Sequence, residues 1–213
     1  MSDTTTNQVE IVLIRHGKTE GNKEKRYIGR TDQPLSEEGI AGIKEGQGQY
    51  PAVEKVYASP MKRTRQTAGL IYPEQTPEII ENLREMDLGI FEGKNHAELK
   101  HKPSYILWVA TRGKTGIPEG ESMKDFGKRT MDGLKEVLSD MQAEGIKKAA
   151  VVAHGGTIMS IVSQLADGDY YKYMVNNGGG FLLTLDGDGK LLDLAPLLKE
   201  DNSMQEELEE FAE

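Results

Sequence analysis

The 213-residue chain contains no cysteine, which excludes a disulfide framework and thiolate metal sites. No apolar run approaches the roughly 18 residues of a membrane-spanning helix. The first residues, MSDTTTNQVE, lack the basic start and apolar middle of a secretory leader. Basic charge is scarce: 26 Lys and Arg face 35 Asp and Glu, for a net charge of −9. Nucleic-acid binding draws on a surplus of Lys and Arg along the phosphate backbone, so this balance argues against it. Together these absences lead us to expect a cytoplasmic protein with no membrane partner.

The acidity is unevenly spread. The last fourteen residues, EDNSMQEELEEFAE, hold seven acids and no Lys or Arg, and without them the net charge is −2. The chain reads as one domain over residues 1–199, with an acidic tail at 200–213 that reads as a solvated helix.

Short apolar runs rich in β-branched residues predict buried strands at Val9–Arg15, Lys55–Ala58 and Ala149–Ala153, with another near Glu78–Ile80. Helical patterns lie between them. One starts after Ser36, a good N-cap followed by Glu37 and Glu38, and one follows Pro60 through Arg63–Ile71. A long one covers about Ser122–Glu144, and one follows Gly156. Strands alternating with helices predict an α/β fold: three layers, with a mainly parallel central sheet and helices on both faces. Two apolar runs around Asp-Gly-Asp-Gly, within residues 170–195, predict an antiparallel ribbon at the sheet's edge. Its exposed edge offers a surface on which two copies would pair. Residues 86–121, which hold the only tryptophan, Trp108, read as a small loop-rich cap.

Two histidines fall where ligands bind in open parallel sheets, at the carboxyl ends of strands. His16 ends "VLIRHG" and His154 ends "VVAHGG", each followed by glycine. Arg15 adjoins the first. A third strand–helix junction, "SPMKRTRQTA", adds Arg63 and Arg65. Backbone N–H groups at a helix start and the guanidinium fork both favour a bound phosphate. Glu85, Asp87 and Glu92 follow in one acidic stretch. A carboxylate in a loop is usually solvated, and the residues alone do not choose among the three.

In order along the chain, "RHGKTEGN", "YIGRTDQPLSEEG", "SPMKRTRQTA", "LREMDLGIFEG" and "AHGG" resemble the blocks of the histidine phosphatase superfamily, which includes the phosphoglycerate mutases. The resemblance covers roughly residues 9–185. It implies a phosphoglycerate mutase-like fold and a phosphohistidine mechanism. His16 would be the nucleophile, with Arg15, Arg63 and a protonated His154 supplying positive charge to the phosphoryl group. Asn22 would add a hydrogen bond, and Gly29 and Thr31 would lie in a substrate-contacting loop. Glu85 would protonate the leaving alkoxide and later take a proton from water. The pattern selects Arg63 over Arg65, which is left on a solvated helix face. It usually has alanine where this chain has Thr64. His96 and His101 match nothing in it and are read as surface or cap residues. Glu121 and Ser122, in "PEGES", are read as fixing the start of the long helix.

The resemblance implies neither metal nor cofactor. The expected partner is a small phosphomonoester, and the expected reaction is its hydrolysis. Within the superfamily the chain looks most like the compact bacterial branch that includes α-ribazole phosphatase. Two alternatives stand beside this: a cofactor-dependent phosphoglycerate mutase, and a phosphate-binding regulator without turnover. The short span from Glu85 to Pro118, with no adjacent arginines, points to hydrolysis. The presence of His16 and Glu85 speaks against the regulator.

Overall fold

The computed structural model describes residues 8–197; the expectation for the acidic tail lies outside them. The chain runs β1 (Val9–Arg15), α1 (Glu20–Lys23), α2 (Glu37–Glu45), β2 (Lys55–Ala58), α3 (Lys62–Ile71) and β3 (Glu78–Ile79). It continues through α4 (His96–Leu99), α5 (Pro103–Ala110), α6 (Met123–Glu144), β4 (Lys148–Ala153), α7 (Gly155–Leu165), β5 (Gly180–Leu185) and β6 (Leu191–Pro196). Among the described residues no helix is long and apolar enough to cross a membrane.

The sheet order is β3-β2-β4-β1-β5-β6. The first four strands are mutually parallel, and β5 and β6 are antiparallel additions. Side chains alternate across a strand, and here both faces are apolar. Ile11, Leu13 and Val151 face α6 and α7, where they meet Leu134, Val137, Met141, Ile158 and Ile161. Val12, Ile14 and Val152 face α2 and α3, where they meet Ile43, Ala68 and Ile71. Each of the Val, Leu, Ile and Met side chains among these contributes about 1.5–3 kcal/mol on burial. That two-sided burial is why β1 and β4 are continuous apolar runs, and it gives the three expected layers.

Local signals set the helix starts. Ser36 Oγ accepts from Gly39 N at 3.0 Å, and Ser122 Oγ accepts from Asp125 N at 3.0 Å. Gly145 closes α6 in the left-handed region at φ 73°. The ribbon forms where Asp-Gly-Asp-Gly predicted it, with Asp186 Oδ1 accepting from the backbone N–H of Asp188 and Lys190.

Residues 86–121 carry two short helices, α4 and α5, among their loops. They have an apolar cluster of their own, in which Phe91, Leu99, Tyr105 and Ile117 pack with Phe126 of α6. Trp108 and Tyr27 lean on it. Tyr27 Oη and Tyr105 Oη are 2.7 Å apart, so residues 86–121 are tied to the loop that follows α1.

Candidate active site

β1 and β4 are neighbours, and their carboxyl ends lie level, with Arg15 opposite Ala153. His16 N donates to Ala153 O at 3.0 Å. The topology therefore brings His16 and His154 together. Their ring centroids are 5.2 Å apart, with the planes at 66°, and both rings are buried.

The partners fix the protons. A carbonyl only accepts, so His16 Nδ1 carries hydrogen and donates to Gly17 O at 2.7 Å. His16 Nε2 keeps its lone pair. An arginine Nε only donates, so His154 Nδ1 accepts from Arg63 Nε at 3.3 Å. His154 Nε2 then carries the hydrogen and donates to Ser59 Oγ at 2.7 Å. Burial first, then Arg63 and Arg15, push His16 well below the usual imidazole value of 6.5. Burial first, then Arg63, His16, Arg15 and Arg129, do the same to His154. Both rings are neutral at pH 7. Burial beside Arg63 disfavours a charge on His154, so in this arrangement the positive charge comes from the two arginines.

Arg63, on the first turn of α3, is 1% exposed. Its Nη1 donates to Thr31 O at 2.8 Å and its Nη2 to Gly29 O at 2.9 Å. Gly29 and Thr31 thus meet Arg63 through backbone carbonyls, while the Thr31 side chain is exposed. A Cβ on Gly29 would come 2.1 Å from Met86 O, so only glycine lets this loop lie against the acid block. Glu92 holds the same loop from outside. Its carboxylate accepts from the backbone N–H of Gly29 (3.1 Å), Thr31 (3.0 Å) and Arg30 (3.4 Å). Arg15 lies against Gly155 at the start of α7 and donates from Nη1 to Val175 O at 2.6 Å. Arg65 is exposed on α3.

Asn22 sits in the capping box of α1. Its Oδ1 accepts from Thr19 N at 3.0 Å and Asn177 Nδ2 at 3.4 Å. With the oxygen so engaged, its amide N–H groups are the part available to a ligand. Asn177 also donates to His16 O at 2.9 Å, fixing the segment that carries the ring.

Glu85 faces the start of α7. Its Oε1 accepts from Met86 N and its Oε2 from Gly156 N, each at 2.9 Å. A Cβ on Gly156 would fall 2.3 Å from Oε1. Burial pushes the Glu85 carboxyl above its usual value, against the pull of these two N–H donors and of Arg63 and Arg15. Arg129 of α6 braces the segment from behind. It donates to Asn82 O (2.9 Å), Arg84 O (3.0 Å) and Glu85 O (3.3 Å), and to both oxygens of Glu121 (2.8 and 2.7 Å).

Asn177, Arg129 and Ser59 are absent from the sequence-based set, and Glu92, one of the three acids weighed there, serves the Gly29–Thr31 loop. The legible hint for Arg129 is an opposite charge, Glu121, eight residues before it near a helix start. Nothing in the order of residues marks the others. His96 bonds Tyr105 within the cap, and His101 is exposed. Among the described residues no group of His, Asp and Glu is arranged to hold a metal ion.

Two histidines and two arginines thus gather at the carboxyl edge of a mainly parallel α/β sheet, with the buried carboxyl group of Glu85 at the start of α7. The family model of the histidine phosphatase superfamily (branch 1) matches residues 11–195, and the chain belongs to that superfamily as a phosphatase. It is similar to putative phosphoserine phosphatase 2 of Hydrogenobacter thermophilus, at 30% identity over 161 residues, 73% of this chain and 77% of that protein. It is also similar to the probable phosphoglycerate mutase GpmB of Serratia proteamaculans, at 31% identity over 163 residues, 73% of this chain and 74% of that protein. The fold matches the crystal structure of a putative α-ribazole-5'-P phosphatase from Escherichia coli with a TM-score of 0.78, at 23% identity, covering 88% of this chain and 94% of that one.

Proposed function

We propose that the protein hydrolyses a small phosphomonoester by passing its phosphoryl group through His16 to water, with no metal or cofactor. The observation that carries this reading is the His16 ring. Its Nδ1 is tied to Gly17 O, so a neutral Nε2 lone pair is offered beside His154 and Arg63 at pH 7, without a separate base. In the first step the Nε2–P bond forms as the P–O ester bond breaks, and Glu85 gives its proton to the leaving alkoxide. In the second, water attacks phosphorus, its proton returns to Glu85, and the P–N bond breaks to release phosphate. Charge spreads over the phosphoryl oxygens during transfer, so positioned cations and donors supply most of the catalysis. Arg15, Arg63, Asn22 and His154 hold those oxygens. Burial pushes the Glu85 pKa upward, which favours the protonated form that a leaving-group acid requires.

The substrate is proposed more finely as α-ribazole 5'-phosphate, supported by the resemblance to the compact bacterial branch. The Hydrogenobacter relative's name brings in phosphoserine as the competing ester. The GpmB likeness favours a second reading, a mutase. Against it, Arg112 in the cap is engaged with Asp169 at 2.9 Å and lies over the Tyr171 ring, away from the role of binding a second charged end of substrate. Phosphate release from α-ribazole phosphate, phosphoserine, 3-phosphoglycerate and an aryl phosphate, with H16A as blank, tests the reading. Release that is strong for one ester and absent in H16A is expected. Interconversion of 3- and 2-phosphoglycerate without release would make the protein a mutase.

A further inference from the structure

We propose that Ser59 and Thr64 are positioning residues that hold His154 as its neutral Nε2–H tautomer, so that a phosphate dianion binds together with one proton taken up at His154 Nδ1. The inference rests on reading the pocket as a phosphate site.

Thr64 is fully buried. Its Oγ1 lies 2.7 Å from Met61 O, 2.8 Å from Ser59 O and 3.1 Å from Ser59 Oγ. A hydroxyl has one hydrogen, and the carbonyls can only accept. The Thr64 hydrogen therefore goes to a carbonyl, and Thr64 Oγ1 is the acceptor toward Ser59. Ser59 donates to Thr64 and keeps its lone pairs for His154 Nε2–H at 2.7 Å. At the far side of the ring, Arg63 Nε donates to Nδ1. Donation thus runs one way, from Arg63 through His154 and Ser59 to Thr64 and a backbone carbonyl. Reversing it would set the Arg63 Nε–H against an Nδ1–H, donor against donor.

This arrangement is the wrong one for a phosphate oxygen. Both the oxygen and Nδ1 present lone pairs, so the ring becomes a donor only by taking a proton from solvent on Nδ1, and in the complex Arg63 Nε–H and Nδ1–H would both turn to phosphate oxygens in place of facing each other. The charged or titratable groups acting on His154 are Arg63 from α3, Arg15 and His16 from the end of β1, and Arg129 from α6. None is an anion. A bound dianion offsets them and makes the imidazolium favourable, while Ser59 continues to accept from Nε2. The pattern this chain resembles usually has alanine at position 64, so the Thr64 end of the relay departs from it.

Tungstate is a suitable probe, being a tetrahedral dianion that does not titrate near neutrality. Calorimetric titration in buffers of different ionisation enthalpy counts the protons taken up. Nitrogen NMR of labelled histidine, assigned with H154Q, reports the tautomer. We expect about one proton per tungstate at mildly alkaline pH, a free protein with His154 protonated at Nε2 alone, and a complex with both nitrogens protonated. S59A should weaken tungstate binding about tenfold, through loss of the acceptor for a charged donor. T64V frees the Ser59 hydrogen to turn toward Nε2, so its resting tautomer should be mixed and its proton uptake clearly below wild type. Wild-type binding without proton uptake, a resting Nδ1–H form, or a proton that lands on His16 would overturn the proposal. Wild-type behaviour in both variants would remove Ser59 and Thr64 from it. Failure of tungstate to bind would remove the phosphate-pocket reading itself.

Discussion

Arg129 is far from the phosphate pocket's cations in sequence, yet the structure makes Glu85 depend on it. Its guanidinium holds three consecutive-region carbonyls, those of Asn82, Arg84 and Glu85, and forms a two-pronged pair with Glu121, each side chain 16% exposed. In R129M the apolar stem remains against Phe126, over whose ring the guanidinium sits. The carbonyls and the Glu121 carboxylate lose their partner. Breaking a buried pair costs about 3–5 kcal/mol. Partial exposure lets water recover some of this, so we expect roughly 2–3 kcal/mol, or a Tm lowered by about 4–12 °C. The chemical effect is separable. In the proposed mechanism Glu85 must reach the leaving oxygen, and a displacement of about 1 Å costs on the order of 100-fold in rate. R129M should therefore lose about that much on an alkyl phosphate and far less in the release of a good aryl leaving group. The double variant R129M/E121M removes the stranded carboxylate. It should regain much of the stability and none of the turnover, because the carbonyl clamp is still missing. Thermal unfolding and turnover of both variants on both esters test this. R129M within twofold of wild type on the alkyl ester, or turnover recovered along with stability in the double variant, would refute the reasoning.

Glu85→Gln should slow phosphoryl transfer from an alkyl ester by about 100- to 10,000-fold, while an aryl ester still releases its phenol in a rapid first turnover; equal losses would argue against Glu85 as the leaving-group acid. Glu92→Gln weakens the hold on Gly29 and Thr31, the carbonyls that aim Arg63, so KM should rise about tenfold with a smaller change in kcat; an unchanged KM would count against that linkage. Stability should depend on pH in a definite direction. His16 and His154 sit well below 6.5 in the fold and return to it on unfolding, so the unfolded chain binds more protons below 6.5. Stability should fall as pH drops through that window by about 1.4 kcal/mol per pH unit for each histidine. Glu85, raised above 4.5, contributes the other way, adding stability at low pH that fades as pH rises through its folded value. Denaturant unfolding across this range should show a shallower slope in H154Q, and a flat wild-type profile would contradict the buried neutral pair.

The legible parts of the molecule are those written in neighbouring residues. β1, β2 and β4 show as short β-branched runs because both their faces are buried. The ribbon shows in its Asp-Gly turn, and α2 and α6 show in their serine caps. Arg15 and His16 are conspicuous because a polar pair ends an apolar strand. The less legible parts join distant segments. Glu92 serves a loop about sixty residues before it, Asn177 grips His16 from the segment before the neighbouring strand β5, and Arg129 reaches back to the acid block. Each uses a side chain that, in sequence, looks like any solvated polar residue. The protonation of His154 belongs to the same class. Its charge is decided by burial and by Arg63, neither of which a strand-end histidine announces. In the cap, α4 and α5 are too short for periodicity to mark, and its apolar cluster needs Phe126 from α6 to close.

The central claim is that the phosphoryl group passes through His16 Nε2. The most direct measurement mixes E85Q with an aryl phosphate, quenches in alkali, where phosphohistidine survives, and maps the modified residue by mass spectrometry. With the proton acceptor for water removed, the intermediate should accumulate toward one phosphoryl group per chain, on His16, and be absent from H16A. Phenol release with no phosphorylated His16, or a phosphoryl group on another residue, would contradict the account.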